Sequence, residues 1–110
     1  MFIRFLALFI FASMSCATQA FSAPSEIHLT IQNHQFIPDK IVGPRGEKFK
    51  LIVINQDSTP EEFESYELNR EKVIPGESQV ILYIGPLEPG DYPFFGEFNP
   101  DSAKGILTIQ

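Results

Sequence analysis

Short runs of alternating apolar and polar residues, separated by turns, make up most of this chain. Ile27, Leu29 and Ile31 alternate with polar neighbours, and the same period of two recurs over residues 48–54. This alternation is typical of strands with one buried face. Further strands are predicted at 40–42, 79–84, 92–95 and 106–109. Short strands between frequent Pro and Gly residues predict an all-β sandwich.

The segment from Thr59 to Glu64 allows two interpretations. Thr59 at an N-cap, Pro60 at the first helical position and Glu62 three residues after the cap are a favourable helix start. Alternatively the segment is a loop leading into a strand, with Phe63 pointing inward and Glu62 and Glu64 pointing away. The local chemistry leaves both possibilities open.

The N-terminus has the pattern of a secretory signal peptide. Arg4 precedes an apolar run over residues 5–14, and small residues lead up to Ala20. We therefore predict a signal peptide at 1–20, a single domain at 21–110 and a periplasmic location. A membrane anchor is the alternative, but the run is too short to span a bilayer comfortably. The mature protein is therefore not expected to span the membrane.

The predicted cleavage removes Cys16, the only cysteine, so the mature domain has no disulfide and no thiolate ligand. Removing Arg4 from the eight basic residues leaves seven against 14 acidic residues, a formal net charge of −7. This charge disfavours nucleic acid and favours cations or a basic protein surface. Six of the acids fall between Asp57 and Glu71. Such a group is also typical of a solvated face.

Four motifs, taken in order, resemble the cupredoxins over nearly the whole mature chain. They are Phe36-x-Pro38-x-x-Ile41 with Gly46, Asn55-x-Asp57 before Pro60-Glu61-Glu62-Phe63, Pro75-Gly76-Glu77 with Pro89-Gly90-Asp91-Tyr92, and Asn99-Pro100 to Gly105. The resemblance implies a Greek-key β-sandwich and favours the strand interpretation of the 59–64 segment. Two stretches, Pro60-Glu61-Glu62-Phe63-Glu64-Ser65 and Phe94-Phe95-Gly96-Glu97-Phe98-Asn99-Pro100, carry a closer resemblance. They are most similar to the cupredoxin-like domains of bacterial periplasmic iron uptake, namely the EfeO-type domain and the small cupredoxins associated with Ftr-type ferrous-iron permeases.

The resemblance also indicates where a blue-copper site would lie. The first His ligand falls on Glu61, the Cys on Gly96, the second His on Asn99 and the Met on Ser102 or close by. Relatives often carry His at the position of Asn99. A type 1 blue-copper centre needs two imidazoles and a thiolate, so none is expected here.

Carboxylates and one imidazole remain at this end of the predicted sandwich. The candidate metal ligands are Glu61, Glu97, His34, Asp101 and Glu64. A His with two or three carboxylates is a reasonable nitrogen and oxygen site for an iron or copper ion. Glu61 and Glu97 are expected to bind the cation and His34 to supply nitrogen, while Asp101 and Glu64 complete the shell or attract cations. Each residue also has an ordinary role as a loop, turn or solvated surface residue.

The resemblance implies a non-blue, carboxylate-rich metal-binding protein that assists ferrous-iron uptake. Its expected partners are the metal cation, a membrane iron permease and other periplasmic iron-uptake proteins, and a ferroxidase-type accessory role is one option. Two alternatives remain open: a metal-free acidic protein-interaction module and a copper carrier.

Overall fold

The computed structural model describes residues 7–15 and 24–110. Residues 7–15, the apolar centre of the predicted signal peptide, have no regular secondary structure, and the rest of that peptide lies outside the described residues. Within the two described ranges, no helix has the length and hydropathy needed to cross a membrane.

Residues 24–110 form an all-β structure, which confirms the predicted fold class. The strands are β1 Glu26–Gln32, β2 Gln35–Ile37, β3 Lys40–Gly43, β4 Phe49–Asn55, β5 Glu61–Ser65, β6 Arg70–Ile74, β7 Ser78–Ile84, β8 Gly90–Gly96 and β9 Lys104–Ile109. The ambiguous segment is therefore a strand, β5, and not a helix. The sequence pattern did not predict β2 or β6, which are short or mostly exposed.

The strands form two sheets that pack as a sandwich. One sheet has the order β2-β1-β4-β7 and the other has the order β3-β9-β8-β5-β6. Strands β1 and β4 pair in parallel, as do β3 and β9, whereas the remaining pairs are antiparallel. The chain passes from the first sheet to the second between β2 and β3, so both sheets are tied together early in the sequence.

The core lies between the sheets and is built from alternate residues of the strands. Three aromatic rings join the two sheets: Phe36 of β2 lies edge-on to Phe94 of β8, with centroids 5.1 Å apart, and Phe63 of β5 stacks on Phe94 at 5.2 Å. Pairs of this kind contribute about 0.5–1.5 kcal/mol beyond the burial of their area. These contacts fix β5 against β8. Because Glu61 and Phe63 share the inward face of β5, the position of Phe63 also determines where Glu61 lies.

Candidate functional site

Glu61 is a buried carboxylate at the start of β5. Residues 61, 63 and 65 of this strand face the interior, while residues 62 and 64 face outward. Glu61 therefore shares the inner face with Phe63, and it is only 1% exposed. Burying a carboxylate is costly unless its oxygens are hydrogen bonded or its charge is compensated.

Three donors bind the Glu61 carboxylate. Its Oε1 atom accepts hydrogen bonds from the backbone N–H groups of Glu62, at 3.0 Å, and Phe98, at 2.9 Å. Its Oε2 atom accepts one from the Nδ2 atom of Asn99 at 2.6 Å. None of the ion pairs within residues 24–110 includes Glu61. The carboxylate thus ties the loop between β8 and β9 to β5, and no cationic side chain of residues 24–110 forms an ion pair with it.

Gly96 lies directly against this carboxyl group. A Cβ atom at Gly96 would lie 2.6 Å from the Cδ atom of Glu61 and 2.7 Å from the Cβ atom of Ala103. The Glu61 side chain therefore fills the space at the position where the cupredoxin resemblance places the cysteine ligand. Because no thiolate, thioether or imidazole stands at the matching positions, the residues do not fit a type 1 blue-copper centre.

His34 lies in the turn between β1 and β2, at the same end of the sandwich. Its backbone N–H and that of Asn33 donate to the carboxylate of Asp57, at 3.0 Å and 2.8 Å. The Nδ1 atom of the His34 ring lies 3.6 Å from Oδ2 of Asp57. The Oγ atom of Ser102 donates to the carbonyl oxygen of His34 at 2.6 Å, which joins this turn to the β8–β9 loop.

These contacts lower the pKa of Asp57. The hydrogen bond from the His34 backbone has the largest effect, and burial opposes it by disfavouring the charged form. The bond from Asn33 and the attraction of the His34 ring add to the lowering. Asp57 therefore holds the β1–β2 turn in place as a carboxylate.

A second acidic group lies on the outer surface of the second sheet. Glu62, Glu64 and Glu71 present carboxylate oxygens within 4.8 Å of one another, and we call this group the acidic face. Glu64 and Glu71 are direct neighbours across β5 and β6. Loss of hydration raises the pKa of Glu64, and repulsion from Glu71, Glu62 and Glu97 raises it further.

The structure separates the candidate ligands into different surroundings. Glu61 points inward, whereas Glu64 points outward from the same strand. Glu97 and Asp101 are exposed on the β8–β9 loop, and His34 is exposed beside Asp57. In residues 7–15 and 24–110, the acidic face is the only group of three or more His, Cys, Asp or Glu side chains with ligand atoms this close. The five candidates thus do not form one cluster at this distance.

Sequence reasoning missed the roles of three residues. Asn99 is the partner of Glu61, whereas the cupredoxin resemblance identifies it only as the position of a missing His ligand. Glu71 joins the acidic face through β6, which the sequence pattern did not predict. Asp57 binds the β1–β2 turn. The alternation within β5 was the available signal: a strand with Phe63 inward must also direct Glu61 inward.

Comparison with known proteins agrees with the fold. The family model of the cupredoxin-like domain matches residues 4–109. An uncharacterized protein of Rickettsia prowazekii (strain Madrid E) is 39% identical over 85 residues, which cover 77% of this chain and 68% of that protein.

Two solved structures with low sequence identity share the architecture. Auracyanin A, a "blue" copper protein from Chloroflexus aurantiacus, matches with a TM-score of 0.69 and 9% identity, covering 80% of this chain and 100% of its own. The metal-binding domain of the Cu(I)-exporting P-type ATPase CopA from Streptococcus pneumoniae D39, with Cu(I), matches with a TM-score of 0.65 and 16% identity, covering 77% and 84%. With its two sheets and the match over residues 4–109, this chain belongs to the cupredoxin-like domain family.

Proposed function

We propose that this cupredoxin-like protein binds a metal cation through oxygen ligands centred on Glu61 and thereby assists ferrous-iron uptake. The observation that carries the proposal is a carboxylate that is 1% exposed, beside the β8–β9 loop, with no cationic side chain of the described residues paired to it. Buried charges in proteins are generally paired or coordinate metal ions. A cation at Glu61 would supply the missing compensation.

The donor chemistry favours a hard ion. Carboxylate oxygens suit Fe(III), Fe(II) and Mn(II) better than Cu(I), which prefers sulfur. Glu97 and Asp101 lie on the same loop as the residues that bind Glu61, and His34 is tied to that loop through Ser102. These side chains are the proposed additional ligands, and because they do not form a cluster with Glu61 in the metal-free structure, they have to move toward it when a cation binds.

The acidic face contributes to the proposed cation binding through the electrostatic field of its carboxylates. Glu62, Glu64 and Glu71 lie on the strands that carry or flank Glu61, and Glu97 is close enough to raise the pKa of Glu64. Negative charge concentrated in one region raises the local concentration of cations and speeds their arrival. We expect this contribution to weaken as ionic strength increases.

Iron is the proposed cation, and the role in uptake rests on the resemblance to periplasmic iron-uptake domains. Carboxylate ligands favour ferric over ferrous iron, because the ion of higher charge gains more from anionic oxygen. A site of this kind is suited to binding iron in the periplasm before a membrane permease takes it up, with a ferroxidase-type accessory role. Carriage of copper is the related alternative, since Cu(II) generally binds such donors more tightly than other divalent ions.

Calorimetric titration of the protein with Fe(II) under anaerobic conditions, Fe(III), Mn(II) and Cu(II) tests the proposal. E61Q keeps the size of the side chain and removes its charge, so it should weaken binding of the hard cations by at least about tenfold. E47Q is the matched control, because Glu47 is exposed in the loop between β3 and β4. Equal affinities for the wild type, E61Q and E47Q would exclude Glu61 as the binding group.

A metal-free acidic protein-interaction module is the second candidate function. The observation that favours it is that three N–H donors already satisfy the Glu61 carboxylate. In that case the acidic face would bind a basic protein surface, and salt would weaken the complex strongly. Absence of cation binding, together with loss of partner binding in an E64Q/E71Q double variant, would favour this function.

A further inference from the structure

We infer that Asn99 is a latch on Glu61: its amide holds the Oε2 atom in the metal-free protein and competes with the cation for that oxygen. The inference rests on the proposed function and assigns the residue that regulates the affinity of the same site. It follows from the unequal bonding of the two Glu61 oxygens.

The two oxygens differ in how easily they change partners. Oε1 accepts from two backbone N–H groups, those of Glu62 and Phe98. Releasing either group requires movement of β5 or of the loop. Oε2 accepts from one side-chain amide, that of Asn99. A rotation about side-chain bonds is enough to release it, so Oε2 is the oxygen that a cation can reach without a change in the backbone.

The amide of Asn99 must oppose a cation in its present orientation. An ionised carboxylate only accepts hydrogen bonds, so the group 2.6 Å from Oε2 is the NH₂ group and not the amide oxygen. The hydrogens of that group carry partial positive charge and point at Oε2. A cation approaching Oε2 would therefore be repelled until the amide rotates away.

The backbone of Asn99 is held independently of its side chain. Its N–H donates to the carbonyl of Gly96 at 3.1 Å, and its own carbonyl accepts from Ser102 at 3.3 Å and Ala103 at 2.9 Å. The side chain is half-buried, and its neighbours Phe98 and Pro100 are exposed. The amide can thus turn toward solvent while the loop keeps its shape.

The latch predicts that removing the amide strengthens cation binding. A hydrogen bond to a charged group contributes about 1.5–3 kcal/mol, which corresponds to roughly a tenfold or larger change in affinity. N99A should therefore bind Mn(II) at least about tenfold more tightly than the wild type. Mn(II) is the probe because it is a hard ion that is neither oxidised nor reduced in a titration at neutral pH. N99S, which has a shorter side chain, should change the affinity in the same direction. It replaces N99A in the experiment if N99A does not fold.

The control is T108A, which removes a side-chain hydrogen bond between β9 and β8 at the other end of these strands, the one from Thr108 to Asp91. We expect T108A to leave the affinity for Mn(II) unchanged. A second readout is hydrogen exchange in the metal-free proteins: the Phe98 amide, bound to Glu61, should exchange faster in N99A, because the carboxylate has lost one of its anchors.

The outcomes separate the latch from the proposed function. Tighter binding by N99A, faster exchange at Phe98 and no change in the affinity of T108A would support the latch. Binding by the wild type that N99A leaves unchanged or weakens would overturn the latch alone. If neither the wild type nor N99A binds a cation, the proposed function and the latch both fail.

Discussion

Gly96 and Glu61 are in direct contact, and each limits what the other can be. A Cβ atom at Gly96 would lie 2.6 Å from the Cδ atom of Glu61 and 2.8 Å from its Oε1 atom. These separations are far shorter than a normal contact between carbon atoms. Gly96 is therefore more than the position of an absent cysteine, because the inward Glu61 side chain requires glycine opposite it.

Replacing this glycine should destabilise the fold. G96A forces a methyl group against Glu61 and Ala103, and we expect the free energy of unfolding to fall by about 1–3 kcal/mol, as for other overpacked cores. Urea denaturation of both proteins measures the change. The control is the cost of G96A in the E61A background, which should be smaller because truncating Glu61 removes its clash with the methyl group and leaves only the one with Ala103. An equal cost of G96A in both backgrounds would contradict the contact.

Asn55 should tolerate loss of its amide donors poorly. Its buried Nδ2 group lies 2.9–3.2 Å from the carbonyl oxygens of Thr59, Ile74 and Pro75. N55D places a carboxylate against these acceptors, and we expect a loss of about 3 kcal/mol or more in the free energy of unfolding. Chemical denaturation measures it. The exposed Asn69 provides the control, since N69D should cost much less. Equal losses would show that the carbonyl contacts are not responsible.

The contribution of Asp57 to stability should depend on pH. Its pKa is lowered in the folded protein, chiefly by the backbone bond from His34, so its carboxylate stabilises the fold above the ordinary aspartate pKa of 3.8. That stability is lost as the pH falls through the lowered value. D57N supplies only one acceptor oxygen for the backbone N–H groups of Asn33 and His34. We therefore expect the free energy of unfolding to fall by about 1 kcal/mol at neutral pH.

Thermal unfolding of wild type and D57N between pH 7 and pH 2 measures this dependence. The difference in stability should narrow as the pH falls below 3.8. The exposed Asp39 supplies a control through D39N. A difference between wild type and D57N that stays constant over the whole range would be inconsistent with a stabilising carboxylate at this position.

The acidic face should show its repulsion in the titration of Glu64. Burial raises the pKa of Glu64 most, and Glu71 is the next cause. E71Q removes the neighbouring charge, so the pKa of Glu64 should fall toward the ordinary value of 4.5. Carboxyl chemical shifts followed by NMR during a pH titration measure it. The control is E88Q, which removes an exposed carboxylate far along the sequence and should leave the pKa of Glu64 unchanged. If the pKa of Glu64 is also unchanged in E71Q, Glu71 exerts no repulsion on it.

The same titration predicts the direction of the stability change. A carboxyl group with a raised pKa binds its proton more tightly in the folded state than in the unfolded state. The contribution of Glu64 to the stability of the wild type should therefore increase as the pH falls from neutral through the raised value toward 4.5. E71Q should show a smaller gain, which thermal unfolding at several pH values can measure.

Sequence periodicity predicts the strongly patterned strands but not those held by their neighbours. The alternation of Ile27, Leu29 and Ile31 is enough to predict β1, since one face is apolar. In β6 only Ile74 is buried, so hardly any pattern exists to detect. In β5 the local helix-start signal loses to hydrogen bonding with β6 and β8 on either side.

The candidate site is harder to predict than the fold. The cupredoxin frame placed Glu61 at the ligand end, and the structure adds that it is buried. The bond from Asn99 depends on the path of the β8–β9 loop, which no local pattern encodes. The pairing of Glu64 with Glu71 likewise requires the register between β5 and β6.

The parallel pairing of β3 with β9 affects how the protein can be made. β3 lies in the first half of the chain, yet within residues 24–110 its only sheet partner is β9, which also covers one edge of β8. While the chain folds, these edges of β3 and β8 stay unpaired until residues 104–109 take their place between them. A chain without those residues would expose unpaired strand edges, which favour aggregation. Insertion of β9 is therefore the step that closes the second sheet.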